Sequence, residues 1–214
     1  MSNEVLKLGI PAGSLQQATI ELFGKAGFGI FGSDRSYLPR IDDDQIEPII
    51  LRAQEMSRYV EDGVLDAGIT GYDWIMENGS DVVDVCELAY SKRTSNPARW
   101  VLAVPNESKV KKPKDLAGGI IATELVKVTE KFFAEKEIKV KVEFSWGATE
   151  VKARLVDAIV ELTETGTSLR ENNLRIIDTV ITSTTRLIAN KGAWEDAFTR
   201  EKIANSSILL NAAI

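Results

Sequence analysis

The chain has 214 residues, of which 44% are hydrophobic and 27% charged, and its net charge is −6. A chain of this length supports either one large α/β unit or two lobes of about 100 residues each, and two lobes is the expectation. It has no histidine and only Cys86 as a thiol. This excludes zinc and iron ligand sets, internal disulfides and nucleophiles activated by histidine. The acidic balance argues against a nucleic-acid partner.

Any metal would be a hard, oxygen-bound ion such as Mg²⁺. No apolar run nears the roughly 18 residues of a membrane span, and "MSNEVLKLGIPAGS" has no basic leader before an apolar core. The expected location is therefore the cytoplasm, with no membrane partner. The basic stretch "SKVKKPKDL" reads as a solvated loop.

Along the chain, strand-like apolar runs alternate with segments of helical period, the pattern of βαβ units and mixed, mostly parallel sheets. "EVLKLGIP" predicts a strand. "SLQQATIELFGKAG" predicts a helix with Leu15, Ala18, Leu22, Phe23 and Ala26 on one face, a capping box from Ser14 to Gln17 and a stop at Gly27. "IEPIILRA" predicts a strand, at a sheet edge if Pro48 lies within it. "QEMSRYVEDG" is then a helix closed by Gly63, and "VLDAGITG" a buried strand.

Strands are further expected at "DVVDVCEL", "RWVLAVP", "GIIAT", "KVEFSW", "VDAIVEL" and "RIIDTVITS", and helices at "ELVKVTEKFFAEK" and "GAWEDAFTREKIANSSILL". "YSKRTSNPARW" marks the boundary between blocks, and "RIIDTVITSTTRLIAN" is long enough to carry the chain back. The expected lobes are residues 1–94 with 184–214, and 95–183, with ligands in a cleft between them.

"ELTETGTSL" joins the strand "VDAIVEL" to a short helix near Ser168, which Glu171 would cap. Thr165, Gly166, Thr167 and Ser168 offer backbone amides and hydroxyls to an anion, without the lysine of a Walker loop. Asp157, Glu161 and Glu164 would repel a bare phosphate but suit sugar hydroxyls and Mg²⁺. On the residues alone an ordinary capped turn remains open.

The same holds for "VEDGVLDAGITGYDW", where Asp66 enters a strand and Gly68 and Gly71 bare its backbone. It holds again for "LGIPAGSLQ", with Gly13, and for "GIIATE", with Thr123 and Glu124. Trp74, Trp100, Trp146 and Trp194 read as packing residues.

Taken together, "LKLGIPAGSLQ", "RAQEMSRYVEDGVLDAGITGYDW", "RWVLAVP", "IATELVKVT", "VEFSWGATEVK", "DAIVELTETGTSLRENNLRIIDTV" and "STTRLIANKGAW" resemble the ATP phosphoribosyltransferase family over essentially the whole chain. The resemblance implies a two-lobed type II periplasmic-binding-protein-like fold. It also implies transfer of a phosphoribosyl group from phosphoribosyl pyrophosphate to N1 of ATP, with Mg²⁺ and release of pyrophosphate.

By the same resemblance Asp157 and Glu161 are catalytic and would serve the ribose hydroxyls or the magnesium. Thr163, Glu164, Thr165, Gly166, Thr167 and Ser168 would bind the 5-phosphate. Asp66, Gly68 and Tyr72 would line the ATP side, and Arg52, Arg99, Glu124 and Gly13 would add contacts.

The family implies dimers or larger homo-oligomers, and in its short members a regulatory subunit resembling histidyl-tRNA synthetase. The first-lobe wording resembles long members more, read as a catalytic core without the C-terminal regulatory domain. Ala12 stands where the family's first loop leads one to expect lysine, so a ligand-binding core of the same fold with weak or no turnover is the alternative.

Overall fold

In a computed structural model the protein is described over residues 5–32, 36–90 and 97–214. It divides into two compact units, Met1–Asn96 with Thr184–Ile214, and Pro97–Ser183. Unit 1 opens with β1 (Leu6–Ala12), α1 (Gln16–Lys25), the short strands β2 (Ile30–Phe31) and β3 (Arg40–Ile41), and β4 (Ile46–Arg52). It continues through α2 (Ala53–Glu61), β5 (Ala67–Gly71), α3 (Tyr72–Asn78) and β6 (Val83–Leu88).

Unit 2 contains β7 (Ala98–Pro105), β8 (Ile120–Thr123), α4 (Val126–Glu135), β9 (Lys141–Phe144), α5 (Thr149–Lys152), β10 (Ala158–Thr163), α6 (Thr167–Glu171) and β11 (Leu174–Ser183). The chain then re-enters unit 1 as β12 (Thr185–Ala189), α7 (Lys191–Glu195) and α8 (Ala197–Ala212).

The sheet of unit 1 runs β4-β1-β5-β12-β6, and that of unit 2 runs β11-β7-β10-β8-β9. In each, three neighbouring strands are parallel: β4, β1 and β5 in one, β10, β8 and β9 in the other. Pro48 is tolerated because β4 is an edge strand, where its missing N–H interrupts no central ladder. The segment expected as one long strand, 175–190, breaks at Thr184, so β11 and β12 belong to different sheets.

Burial explains why these segments settle as they do. Leu6, Leu8 and Ile10 of β1 pack with Leu22 and Phe23 of α1 in the core of unit 1, and Val101, Ala103, Ile159 and Leu169 centre that of unit 2. Truncating the fully buried Phe23 to alanine would cost about 3–5 kcal/mol. Gly68 is read differently once packing is visible. A Cβ there would lie 2.7 Å from Met56 Sδ, so this glycine lets α2 lie close on the sheet and does not present backbone to a ligand.

Three local expectations change. No side chain caps α1: Leu15 is its N-cap residue, so the Ser14–Gln17 box is not formed. Gly166 holds the N-cap position of α6, which displaces the Ser168–Glu171 box. The C-terminal helix divides because the Asp196 side chain accepts from Thr199 N and starts α8 afresh after α7.

Candidate active site

In unit 2 the chemistry-bearing side chains gather where the parallel strands end. β10 closes at Thr163, and its hydroxyl accepts from Gly166 N at 2.7 Å, which draws the loop into a tight turn. Gly166 has φ +72°, a conformation that L side chains rarely adopt. The amides of Thr167 and Ser168, the first of α6, have no acceptor within the helix, as at any helix start. Thr165 and Thr167 share a hydroxyl contact at 3.0 Å.

Arg170, which sequence reasoning passed over, folds back on this loop. Its guanidinium donates to Thr165 O and to Thr167 Oγ1, each at 3.0 Å. The signal was present in "TGTSLR", because a residue four beyond a helix-starting glycine lies one turn above it. Arg99 faces the same end, since its position on β7 is paired with Thr163. The loop therefore has cationic neighbours although it contains no lysine.

Glu161 lies two residues before Thr163 on the same face of β10. Burial, joined by the charges of Glu150 and Glu124, raises its pKa from 4.5 to about 7, against the lowering effect of hydrogen bonds from Leu162 N and Thr149. Glu150, also missed from sequence, accepts from Ser168 Oγ and so links α5 to the glycine loop. Glu124 follows β8 directly, beside β10. Glu164 continues the chain after Thr163 and is half-buried.

Asp157 does not join this group. It precedes β10, and six residues of extended chain put it about 20 Å from Thr163 and about 13 Å from Glu161. Its Oδ2 accepts from Ile120 N at 2.8 Å, and its own N donates to Ile120 O at 3.0 Å. The carboxylate closes the open start of the β8–β10 ladder, so it cannot share a cation or a ribose with Glu161. Among the described residues no three His, Cys, Asp or Glu side chains converge to hold a metal ion.

Unit 1 repeats the arrangement. Asp66 Oδ2 accepts from Lys7 N at 2.7 Å and Asp66 N donates to Lys7 O at 3.0 Å, at the start of β5. Asp66 is thus a clamp like Asp157, removed from the ligand-facing end by the length of the strand. At the closing end, Ala12, Gly13, Gln16, Tyr37, Ile50 and Arg52 line a small pocket.

Gly13 has φ +86°, and Arg52 Nη1 stands 3.4 Å from where its Cβ would be. Arg52, the cross-strand partner of Ala12, thus brings a cation to the loop in which Ala12 stands at the position expected to be lysine. Tyr72 starts α3 at the same end, with the Arg186 guanidinium 5.3 Å from its ring centre.

Fold and site define a protein of two α/β units whose glycine loops, arginines and carboxylates collect at the closing ends of parallel strands, where phosphorylated ligands settle in such sheets. The sequence profile of ATP phosphoribosyltransferase (HisG) matches residues 52–211. The chain is 57% identical over 214 residues to the ATP phosphoribosyltransferase of Chlorobaculum parvum (strain DSM 263 / NCIMB 8327), covering 100% of this chain and 73% of that one.

Among solved structures it is similar to the ATP phosphoribosyl transferase (HisG:HisZ) complex from Thermotoga maritima, with a TM-score of 0.82, 28% identity and 98% coverage of each chain. The periplasmic aliphatic sulphonate binding protein SsuA from Escherichia coli shares the fold, with a TM-score of 0.55 and 17% identity over 98% of this chain and 78% of that one. The chain belongs to the ATP phosphoribosyltransferase family.

Proposed function

We propose that this chain transfers the phosphoribosyl group of phosphoribosyl pyrophosphate to N1 of ATP, the first step of histidine biosynthesis. A bond forms between N1 of adenine and C1 of the ribose while the bond from C1 to the pyrophosphate oxygen breaks, and its electron pair leaves with pyrophosphate. Adenine N1 is already a nucleophile, so no histidine is required. Alignment and charge stabilisation carry the reaction.

The observation that carries this reading is the Thr163–Ser168 loop with Glu161 beside it, in a chain that matches its relatives over its whole length. The 5-phosphate would rest on the Thr167 and Ser168 amides, with Arg170 and Arg99 offsetting its charge. Glu161 and Glu150 would accept from the ribose hydroxyls, and as C1 becomes cationic the ionised form of Glu161 is favoured. Arg52, Gly13 and Tyr72 would serve the ATP side.

Magnesium belongs to this reading as part of the substrate, carried in on the diphosphate. Assembly as a homo-oligomer, work with a regulatory subunit and a cytoplasmic location complete the proposal. No helix among the described residues is long and apolar enough to cross a membrane.

The test is to mix purified chain, ATP, phosphoribosyl pyrophosphate and Mg²⁺ and follow pyrophosphate and phosphoribosyl-ATP. Equimolar formation of both, dependent on both substrates, is expected. Substrate-induced thermal stabilisation without either product would mean a binding core without turnover.

A further inference from the structure

We infer that the indole of Trp146 is a stacking platform for the adenine ring of the acceptor nucleotide. Trp146 is 90% exposed, while Trp100 is 2% exposed and Trp194 packs against the core of unit 1. The expectation that all four tryptophans are packing residues therefore fails at this position. Exposure alone would mean little, but three further observations give it direction.

First, the ring is held in place. Phe144 meets it edge-to-face, with centroids 4.8 Å apart and planes at 81°. Ser145, between the two residues in sequence, is fully buried, its N donates to Thr123 O at 2.8 Å, and its hydroxyl contacts Thr149 Oγ1 at 3.0 Å. The backbone that leads into the indole is therefore anchored at Ser145.

Second, the turn after it is strained. Ala148 has φ +45°, which an alanine adopts at a cost of about 1–3 kcal/mol and which persists where surrounding structure enforces it. That turn sets Gly147 beside Glu124, with Glu124 Oε1 3.5 Å from where a Cβ of Gly147 would be. Trp146 is thus one residue from the carboxylate group next to Glu161.

Third, the order across the sheet is right for the substrate pair. The closing ends of adjacent strands carry the glycine loop and Glu161 on β10, Glu124 on β8 and Trp146 on β9. β9 lies about 10 Å from β10, two strand spacings. With its phosphate on the loop and its hydroxyls at the carboxylates, a phosphoribosyl group would lie along the β10-β8-β9 order that ends at the indole. An attacking base must approach C1 to about 3–3.5 Å, so a flat ring there meets a ready aromatic face. This platform rests on the proposed transferase reading and extends it by naming a contact for the base of the second substrate.

The experiment combines kinetics with intrinsic fluorescence. In Trp146→Ala the KM for ATP should rise about tenfold. The KM for phosphoribosyl pyrophosphate should stay within about twofold and the melting temperature should be unchanged, since nothing buried is lost. Trp146→Phe should retain most ATP affinity, and the emission change that ATP causes in the wild-type protein should vanish in it.

An ATP KM unaffected by Trp146→Ala, or equal rises in both KM values, would overturn the platform. So would emission that follows protein concentration in place of ATP, because the indole would then be covered by a second copy. If the wild-type protein forms no phosphoribosyl-ATP, the transferase reading fails by itself, and the ATP-dependent emission change still decides whether Trp146 holds a purine.

Discussion

The loop that closes β1 in unit 1 and the loop that closes β10 in unit 2 are built on one frame and dressed differently. Each turns on a glycine of positive φ, Gly13 at +86° and Gly166 at +72°. Each has an arginine Nη1 over that glycine, Arg52 at 3.4 Å and Arg170 at 3.3 Å from where a Cβ would lie. At the opposite ends of the strands, Asp66 and Asp157 make the same two-bond clamp to a neighbouring parallel strand.

What differs is the surround. Unit 2 adds Thr163, Thr165, Thr167 and Ser168 and the carboxylates of Glu124, Glu150 and Glu161, whereas unit 1 offers Pro11, Ala12 and an arginine from the next strand. The shared parts make the turn and start the ladder, and the hydroxyls and carboxylates that are not shared are what the proposed function assigns to a phosphorylated sugar.

The comparison breaks most visibly at the glycines. Gly166→Val sets a β-branched side chain at φ +72° against Arg170, and kcat/KM for phosphoribosyl pyrophosphate should fall about 100-fold or more. Gly13→Val should act mainly on the KM for ATP. Identical kinetic effects of the two would mean that the loops do not divide the substrates.

Glu161 gives the next largest effect, on stability. Its carboxyl is raised to about 7 from 4.5, so the unfolded chain ionises first. Folding stability is fully present below about 4.5 and is lost as pH rises through 7, by about 2–3 kcal/mol for this half-buried group. Glu161→Gln should therefore melt close to wild type at pH 5 and above it at pH 8. A gap independent of pH would contradict the assigned cause.

Arg170→Gln should raise the KM for phosphoribosyl pyrophosphate about tenfold, because the guanidinium no longer braces Thr165 O and Thr167 Oγ1 or offsets the phosphate charge. Arg170→Lys should recover the charge without the two-pronged grip. Asp66→Ala should have the smallest effect on turnover, with kcat/KM within about threefold. Its cost is in stability, about 1–3 kcal/mol by denaturant titration, from the unpaired Lys7 amide. A large loss of activity with stability unchanged would restore Asp66 to the ligand side.

Much of the fold was legible because hydrophobic period is a local property. The strands of the two five-stranded sheets apart from the β11–β12 break, the glycine stops at Gly27 and Gly63 and the edge position of Pro48 all follow from neighbours in sequence. The Ser168–Glu171 capping box failed for the opposite reason: Ser168 found Glu150, eighteen residues away in sequence.

At the site, "TETGTS" and Glu161 could be read from the chain, but Asp157 could not be placed. A carboxylate four residues from another looks like its partner until the extended rise of β10 separates them. Gly68 was misread similarly, since only the packed helix reveals Met56 over it. Arg170 and Glu150 needed the fold of the loop itself to bring them in.

The most direct test of where the chemistry lies is kcat/KM for phosphoribosyl pyrophosphate in Glu161→Gln and Asp157→Asn, measured side by side. We expect a fall of about 100-fold for Glu161→Gln and a change of less than about threefold, with a lowered melting temperature, for Asp157→Asn. The reverse order, with Asp157→Asn inactive at full stability and Glu161→Gln as active as wild type, would contradict a site at the closing end of β10.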